Sequence, residues 1–304
     1  MSQAAIHVID LEFMGSPEVI ASHVIPSDDG LVLVDCGPSS TLPKLIEGVT
    51  HMGFEPRDIR HVLLTHIHLD HAGAAGTLAR EFGAKVYVHK NGAGHMERPE
   101  KLIESATRIY GEMMDSLWGK FEPVANNKLT VLEGGEHLKL AGLEFHAHYT
   151  PGHAVHHIAY QLEDAVFTGD VGGVRLPGST HVVAPTPPPD IDLEAWRTSL
   201  QVLRDCKASR LFIAHFGEVN DVTAHLDRLE RSINELGQLS LEALQHGEDA
   251  SGVATHIREN TIAQLRNEAD KTLEMRYALA TPYQMAADGL VRYWKRKHPE
   301  MLEG

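Results

Sequence analysis

The densest chemistry in the chain is the run Thr65-His66-Ile67-His68-Leu69-Asp70-His71, which sets four metal-ligating side chains within six residues. A short loop leaving a strand turns residues i and i+2 to one side, so the imidazoles of His66 and His68 can reach one ion. Asp70 and His71 fall at the turn into a helix and face the other way round the loop, toward a second ion. Imidazole suits Zn²⁺, Mn²⁺ and Fe²⁺, and a carboxylate adds a hard, charge-balancing oxygen. Three more ligand-type residues each follow an apolar stretch: His153 in Thr150-Pro151-Gly152-His153, Asp170 in Thr168-Gly169-Asp170, and His215 in Ala214-His215-Phe216-Gly217. Each of these short motifs alone reads as a turn. Four such motifs converging from strand ends read as a metal site.

Two metals about 3.5–4 Å apart lower the pKa of a shared water toward neutrality and polarise a substrate oxygen. A bridging hydroxide would then attack a carbonyl carbon or a phosphorus, with one metal holding the oxyanion and Asp70 placed to handle the proton. Asp70 and Asp170 are therefore the candidate catalytic carboxylates. This chemistry needs no Ser-His-Asp or Cys-His set. Neither Gly73 and Gly76 nor Gly134-Gly135 forms a phosphate-binding fingerprint, which sets nucleotide cofactors aside.

The elements that must hold these residues follow from periodicity. Ala21 to Pro26 and Leu31 to Val34 read as strands joined by the turn Ser27-Asp28-Asp29-Gly30. A helix is expected from Ser40 to Met52, a buried strand from Ile59 to Thr65, a helix from Ala72 to Phe82 and a strand from Lys85 to His89. Pro99 to Trp118 reads as one helix with Leu102, Ala106, Ile109, Met113 and Leu117 on a face. Strands resume at Thr130 to Leu132, Leu143 to Tyr149, Ile158 to Leu162 and Ala165 to Thr168. A helix from Leu193 to Lys207, with Asp192 as N-cap, leads to a last strand, Leu211 to Ala214. From Val222 onward the chain reads as helix, and Leu226, Leu229, Ile233 and Leu236 would pack on the core or against a second subunit. Strands with helices interleaved twice over predict an α/β fold, two mixed sheets face to face with helices outside, ending in a C-terminal helical extension.

The formal charge of −15, from 27 basic and 42 acidic residues, argues against a nucleic-acid partner. Two cysteines, Cys36 and Cys206, make no disulfide framework or thiolate zinc site. The first ten residues lack signal-peptide character, and no stretch reaches the ~20 apolar residues that span a bilayer. A cytoplasmic protein without a membrane partner is expected.

On the residues Leu33-Val34-Asp35-Cys36-Gly37, the His66 to His71 run, His153, Asp170 and His215, the sequence resembles the metallo-β-lactamase superfamily, in its glyoxalase II-like branch. The resemblance spans about residues 20 to 220. It implies an αββα sandwich with a dinuclear site, over a catalytic domain at 1–221 and a helical tail at 222–304 that completes the pocket or dimerises. It implies that His66, His68 and His153 hold one metal and Asp70, His71 and His215 the other, with Asp170 bridging. The two ions would be Zn²⁺, with Mn²⁺ or Fe²⁺ as options. Asp35 would orient the ligand loop from behind. His157 matches a second histidine common in such proteins, and reads equally as a structural histidine.

For the substrate, Tyr110, Met114 and Trp118 within a possible cap at 90–123 would form an apolar wall over the metals, and Arg175 would meet a substrate carboxylate or serve as a surface arginine. A small ester, thioester or lactone is the expected substrate class. A small-molecule phosphodiester, or the mononuclear-iron chemistry of persulfide dioxygenase relatives, are the alternatives. The basic glutathione-binding residues of the glyoxalase II tail have no match here.

Overall fold

The computed structural model describes residues 4–302. A first sheet of six strands runs in sequence order: β1 (His7–Asp10), β2 (Ala21–Ser27), β3 (Gly30–Val34), β4 (Ile59–Leu63), β5 (Lys85–His89) and β6 (Leu129–Leu132). Its first three strands are antiparallel and the pairings from β3 to β6 are parallel. The second sheet holds β7 (His137–Leu140), β8 (Leu143–Tyr149), β9 (Ile158–Leu162), β10 (Ala165–Phe167), β11 (Arg210–Ile213) and β12 (Gly217–Val219), again in sequence order, with only β10 and β11 parallel.

Side-chain alternation assigns the layers. Along β3, Val32 and Val34 point into the core between the sheets, where they join Phe145, Tyr160, Phe167 and Phe212 of the second sheet. Leu31 and Leu33 point the opposite way, against Leu45 and Val49 of helix α1 (Leu42–His51). A strand buried on both faces reads as the continuous apolar run seen here. Outside the second sheet, Val166 and Leu211 pack against Trp196, Leu200 and Leu203 of the later helix Leu193–Asp205. The molecule is thus the expected αββα sandwich.

Several boundaries move for local reasons. The helix expected from Ala72 to Phe82 begins earlier and is broken, as α2 (Leu69–Ala72) and α3 (Ala75–Glu81). The carbonyl of His71, which a continuous helix would use, accepts the Cys36 N–H at 2.9 Å instead, and the Ala74 N–H goes to the Gly37 carbonyl at 3.0 Å. After α4 (Lys90–Glu97), the helix expected over Pro99 to Trp118 is two, α5 (Glu100–Tyr110) and α6 (Met114–Trp118), because Gly111 takes φ 54° and caps the first. The break takes Ile109 and Met113 off the buried face, leaving them 46% and 56% exposed. The strands β1, β7 and β12 were not individually expected. They are short, and β1 and β7 carry histidines where an apolar alternation would have been readable.

The helix Leu193–Asp205 is α7; it starts where Asp192 accepts the Ala195 N–H at 2.9 Å, the cap that the sequence predicts. The tail comprises α8 (Val222–Gln245), α9 (Ala250–Leu265), α10 (Leu273–Ala280) and α11 (Tyr283–Lys297). Leu226, Leu229, Ile233 and Leu236 are buried against α7 and the second sheet, and Tyr277, Leu290 and Tyr293 join the same core. The 3-4-3 stripe of α8 is therefore spent inside the chain. Among the described residues no helix is long and apolar enough to cross a membrane.

Candidate metal centre

All seven ligand-type residues meet at one edge of the sandwich. His66 to His71 follow β4, His153 lies between β8 and β9, Asp170 follows β10, and His215 follows β11. They gather as two sets, His66, His68, His153 and Asp170 in one, and Asp70, His71 and His215 in the other, each with its ligand atoms within 4.8 Å of one another. His68 Nδ1 lies 2.9 Å from both His66 Nε2 and His153 Nε2. Asp170 turns Oδ2 to this group, 3.3 Å from His153 Nε2, and Oδ1 to the other, 3.2 Å from His71 Nε2 and 3.4 Å from His215 Nε2. Asp70 Oδ2 stands 3.6 Å from His71 Nε2 and 3.5 Å from His215 Nε2.

Atoms bound to one tetrahedral ion at about 2.0–2.1 Å stand about 3.3 Å apart. The separations in the second set taken with Asp170 Oδ1, 3.2 to 3.6 Å, match that spacing. Hydrogen bonds on the far side of each ring support the same reading. His71 Nδ1 donates to Asp35 Oδ2 at 2.9 Å, His153 Nδ1 to the Pro185 carbonyl at 2.9 Å, and His215 Nδ1 to the Val19 carbonyl at 2.7 Å. Thr65 Oγ1 donates to Asp35 and accepts from His66 Nδ1. These partners fix the tautomer that leaves each Nε2 lone pair facing the centre, as metal-ligating histidines require. His71 Nε2, His215 Nε2 and Asp170 Oδ1 are buried and find no hydrogen-bond partner. Orphaned acceptors facing one another at this density fit divalent cations.

The electrostatics agree. Burial works against a charge on His71, yet the carboxylates of Asp170, Asp70 and Asp35 outweigh it and hold the imidazole well above its usual value. His215 is raised in the same way, against burial, by Asp170 and Asp70. Burial would push both aspartates up, but the facing imidazoles hold Asp170 well below the carboxylate range and bring Asp70 to about 2. Burial dominates at His66, His153 and His68, the last falling to about 3. The carboxylates thus call for positive charge, which protons or cations can supply.

Local sequence explains the placement. Gly169 holds φ 49°, and a Cβ there would lie 2.5 Å from Thr65 Oγ1 and 2.7 Å from His157 Nε2. Gly152, at φ 137°, passes so close to Trp196 that a Cβ would come within 2.4 Å of its backbone. Only glycine lets these two turns deliver Asp170 and His153.

Other expected residues take different parts. His157 is fully buried, with Nδ1 bonded to Thr150 Oγ1 at 2.9 Å and Nε2 accepting the Val171 N–H at 3.4 Å. Both nitrogens are used, so it braces the Asp170 loop from behind. Asp35 accepts from Thr65 N, Thr65 Oγ1 and His71, tying the end of β3 to the ligand run. Burial, and then the Asp70 carboxylate, push the Tyr110 phenol up. Trp118 packs edge-on to Tyr110 at 5.0 Å and stacks on Phe13 at 5.4 Å, and Met114 borders the same cluster. Arg175 does not offer a free guanidinium: it pairs with Asp221 at 2.5 Å and donates to the Ser179 carbonyl. Its backbone N–H instead steadies the His215 carbonyl at 2.7 Å.

Sequence reading missed Thr65, His156 and the carbonyls of Val19 and Pro185. Thr65 was legible by its place directly before the run. His156 is buried, with its ring 5.7 Å from that of His68 and Nδ1 without a partner. Backbone carbonyls carry no sequence signal.

The model of the metallo-beta-lactamase superfamily matches residues 15–215. The metallo-beta-lactamase fold-containing protein ST1585 of Sulfurisphaera tokodaii is 30% identical over 249 residues, covering 81% of this chain and 88% of that protein. A hydroxyacylglutathione hydrolase of Shewanella pealeana is 32% identical over 110 residues, 36% of this chain and 31% of that one. The crystal structure of metallo-beta-lactamase family protein TTHA1429 from Thermus thermophilus superposes with a TM-score of 0.70 at 21% identity, covering 96% of this chain and 93% of that chain. That likeness shows the fold, and its coverage takes in the helical tail.

Proposed function

The chain belongs to the metallo-beta-lactamase superfamily, and from that premise we propose that it is a hydrolase of small-molecule esters, thioesters or lactones working through two divalent metal ions. His66, His68 and His153 would hold one ion, Asp70, His71 and His215 the other, and Asp170 both. The observation that carries this reading is the position of Asp170, whose two oxygens face separate histidine sets while Oδ1 has no hydrogen-bond donor. Bound ions would acidify water and polarise the substrate oxygen.

The chain's own residues supply the remainder. Asp70 is ionised at neutral pH, and at 21% side-chain exposure it is more open than His71 and His215, at 0% and 2%. It can therefore receive the proton of the attacking water and pass it toward the leaving group. Tyr110 and Trp118, with ring centroids 5.0 Å apart, would give the substrate an apolar wall. Asp35, Pro185 and Val19 hold three imidazoles in place, so little reorganisation is needed during turnover. The hydroxyacylglutathione hydrolase likeness supports an acyl substrate with a thiol leaving group.

The test is to count metals in protein purified without added metal and to follow hydrolysis of thioesters, lactones and aryl phosphodiesters against occupancy. Two ions per chain are expected, with acyl hydrolysis tracking them, and Asp170→Asn should remove most activity and at least one ion. One iron per chain with oxygen consumption and no hydrolysis after zinc loading would overturn the reading, as would Asp170→Asn protein with both ions and full turnover.

A further inference from the structure

Histidine gathers a second time on the outer face of the second sheet, among residues that the hydrolase reading leaves unused. Along β8 the side chains alternate: Phe145 and Ala147 enter the core between the sheets, so His146 and His148 face outward. His137 of β7 stands directly opposite His146 in the antiparallel register. Helix α7 covers the outer face over β10 and β11 and ends at Cys206. Beyond it the β7–β8 hairpin is open, with His137 exposed and His146 and His148 half-buried.

The four side chains touch in series. His137 stacks on His146 with ring centroids 4.2 Å apart, and His146 meets His148 at 4.0 Å. Cys206 Sγ lies 3.6 Å from His148 Nε2. A sulfur at about 2.3 Å and a nitrogen at about 2.0–2.1 Å from one tetrahedral ion stand about 3.6 Å apart. Gln161 braces that side: its Nε2 donates to the Glu163 and Cys206 carbonyls, and its Oε1 lies 3.1 Å from His148 Nε2. Burial is the main cause that lowers His146 and His148, and His137 adds to it at each. Both rings are therefore neutral at pH 7 and keep a lone pair. Burial also pushes the Cys206 thiol up to about 11, so it holds its proton until a cation displaces it.

We propose that His137, His146, His148 and Cys206 form a further metal site, separate from the two ligand sets of the centre, that takes one Zn²⁺-class ion. Thiolate with imidazole selects such an ion over Mg²⁺ and Ca²⁺. Binding releases the Cys206 proton to solvent and moves the His148 ring proton from Nε2 to Nδ1, which leaves Nε2 for the ion. The stacked pair must also turn its nitrogens inward; the terminal torsion of histidine is broad, and the exposed His137 turns at little cost. The bound ion would tie the β7–β8 hairpin to the end of α7. Because the site is open to solvent and reorganises on binding, it is weaker than the centre and fills when metal is added.

Cobalt(II) tests this, because a thiolate bound to it gives a near-ultraviolet charge-transfer band and the two ligand sets of the centre contain no sulfur. Cys36 is fully buried with its thiol on the His71 carbonyl. Titrating metal-free full chain at neutral pH should raise the band to one cobalt–thiolate bond per chain. Cys206→Ser should abolish it. His148→Gln and the exposed His137→Gln should each need roughly tenfold more cobalt, a change of about 1.4 kcal/mol. A wild type without the band overturns the inference, as does a band that persists in Cys206→Ser or that neither histidine variant weakens. Ser differs from Cys only at the sulfur and His137 is exposed, so both variants keep the fold. The band is read without any substrate, so the outcome stands apart from the hydrolase reading.

Discussion

Replacing Asp35 by Asn changes one atom in the tie that aims His71. Asp35 is 2% exposed and accepts three hydrogen bonds: Thr65 N–H at 2.8 Å on Oδ1, and Thr65 Oγ1–H at 2.8 Å and His71 Nδ1–H at 2.9 Å on Oδ2. An amide has one acceptor oxygen. With that oxygen toward His71, the NH₂ confronts the Thr65 N–H. With it reversed, the NH₂ confronts two donors. Either way at least one buried donor is left facing another, at about 1–3 kcal/mol. The backbone tolerates the change, because φ at residue 35 is 55° and Asn enters the left-handed region more readily than most residues. His71 meanwhile loses the anion that fixes its tautomer. Substitutions behind a metal ligand cost about 10–100-fold in affinity, or roughly 1.4–2.7 kcal/mol. Competition titration against a chromophoric chelator, resolving the two sites, should show that loss at the set of Asp70, His71 and His215. Wild-type affinity at both sites, or a loss confined to the set of His66, His68 and His153, would refute the reasoning.

Gly169→Ala should destabilise the protein by about 2–4 kcal/mol, because the residue holds φ 49° and its Cβ would meet Thr65 and His157; chemical denaturation measures this, and a shift below ~0.5 kcal/mol would remove the steric argument. Acid should weaken the fold between pH 6.5 and 4, because burial brings His23 and His225 down to about 4, so both are folded as neutral rings. The unfolded chain binds more protons in that window, so stability falls as pH falls, by about 3 kcal/mol per histidine across it. Urea midpoints from pH 7 to pH 4 test the sign. A midpoint that holds or rises toward pH 4, or an unchanged profile in His225→Gln, would contradict it.

The strands and helices of the sandwich were readable in the sequence because apolar runs, turn residues and helical stripes are local signals. Leu31 to Val34 reads as a strand from its apolar run after a turn, and the structure covers it on both faces, with the other sheet on one side and α1 on the other. The ligand run was readable because four ligands in six residues survive without any knowledge of the fold. Elements failed to appear where a distant partner competes for the backbone. The helix α2 stops at Ala72 because Cys36, 35 positions from His71, takes the His71 carbonyl, and no window around residue 71 contains that contact.

By itself the sequence determined which side chains can ligate and where the apolar strands and helical stripes lie, whereas the need for glycine before Asp170 and His153 came from the neighbours that the fold packs against them. The tertiary structure alone decided that Asp170 turns one oxygen to each histidine set, that Arg175 is spent on Asp221, and that Val19 and Pro185 aim His215 and His153. The physical reason is one of range: residue type and periodicity act over a few positions, whereas an imidazole is oriented by whichever carbonyl the folded chain brings to its far nitrogen. For His215 that carbonyl lies 196 residues away.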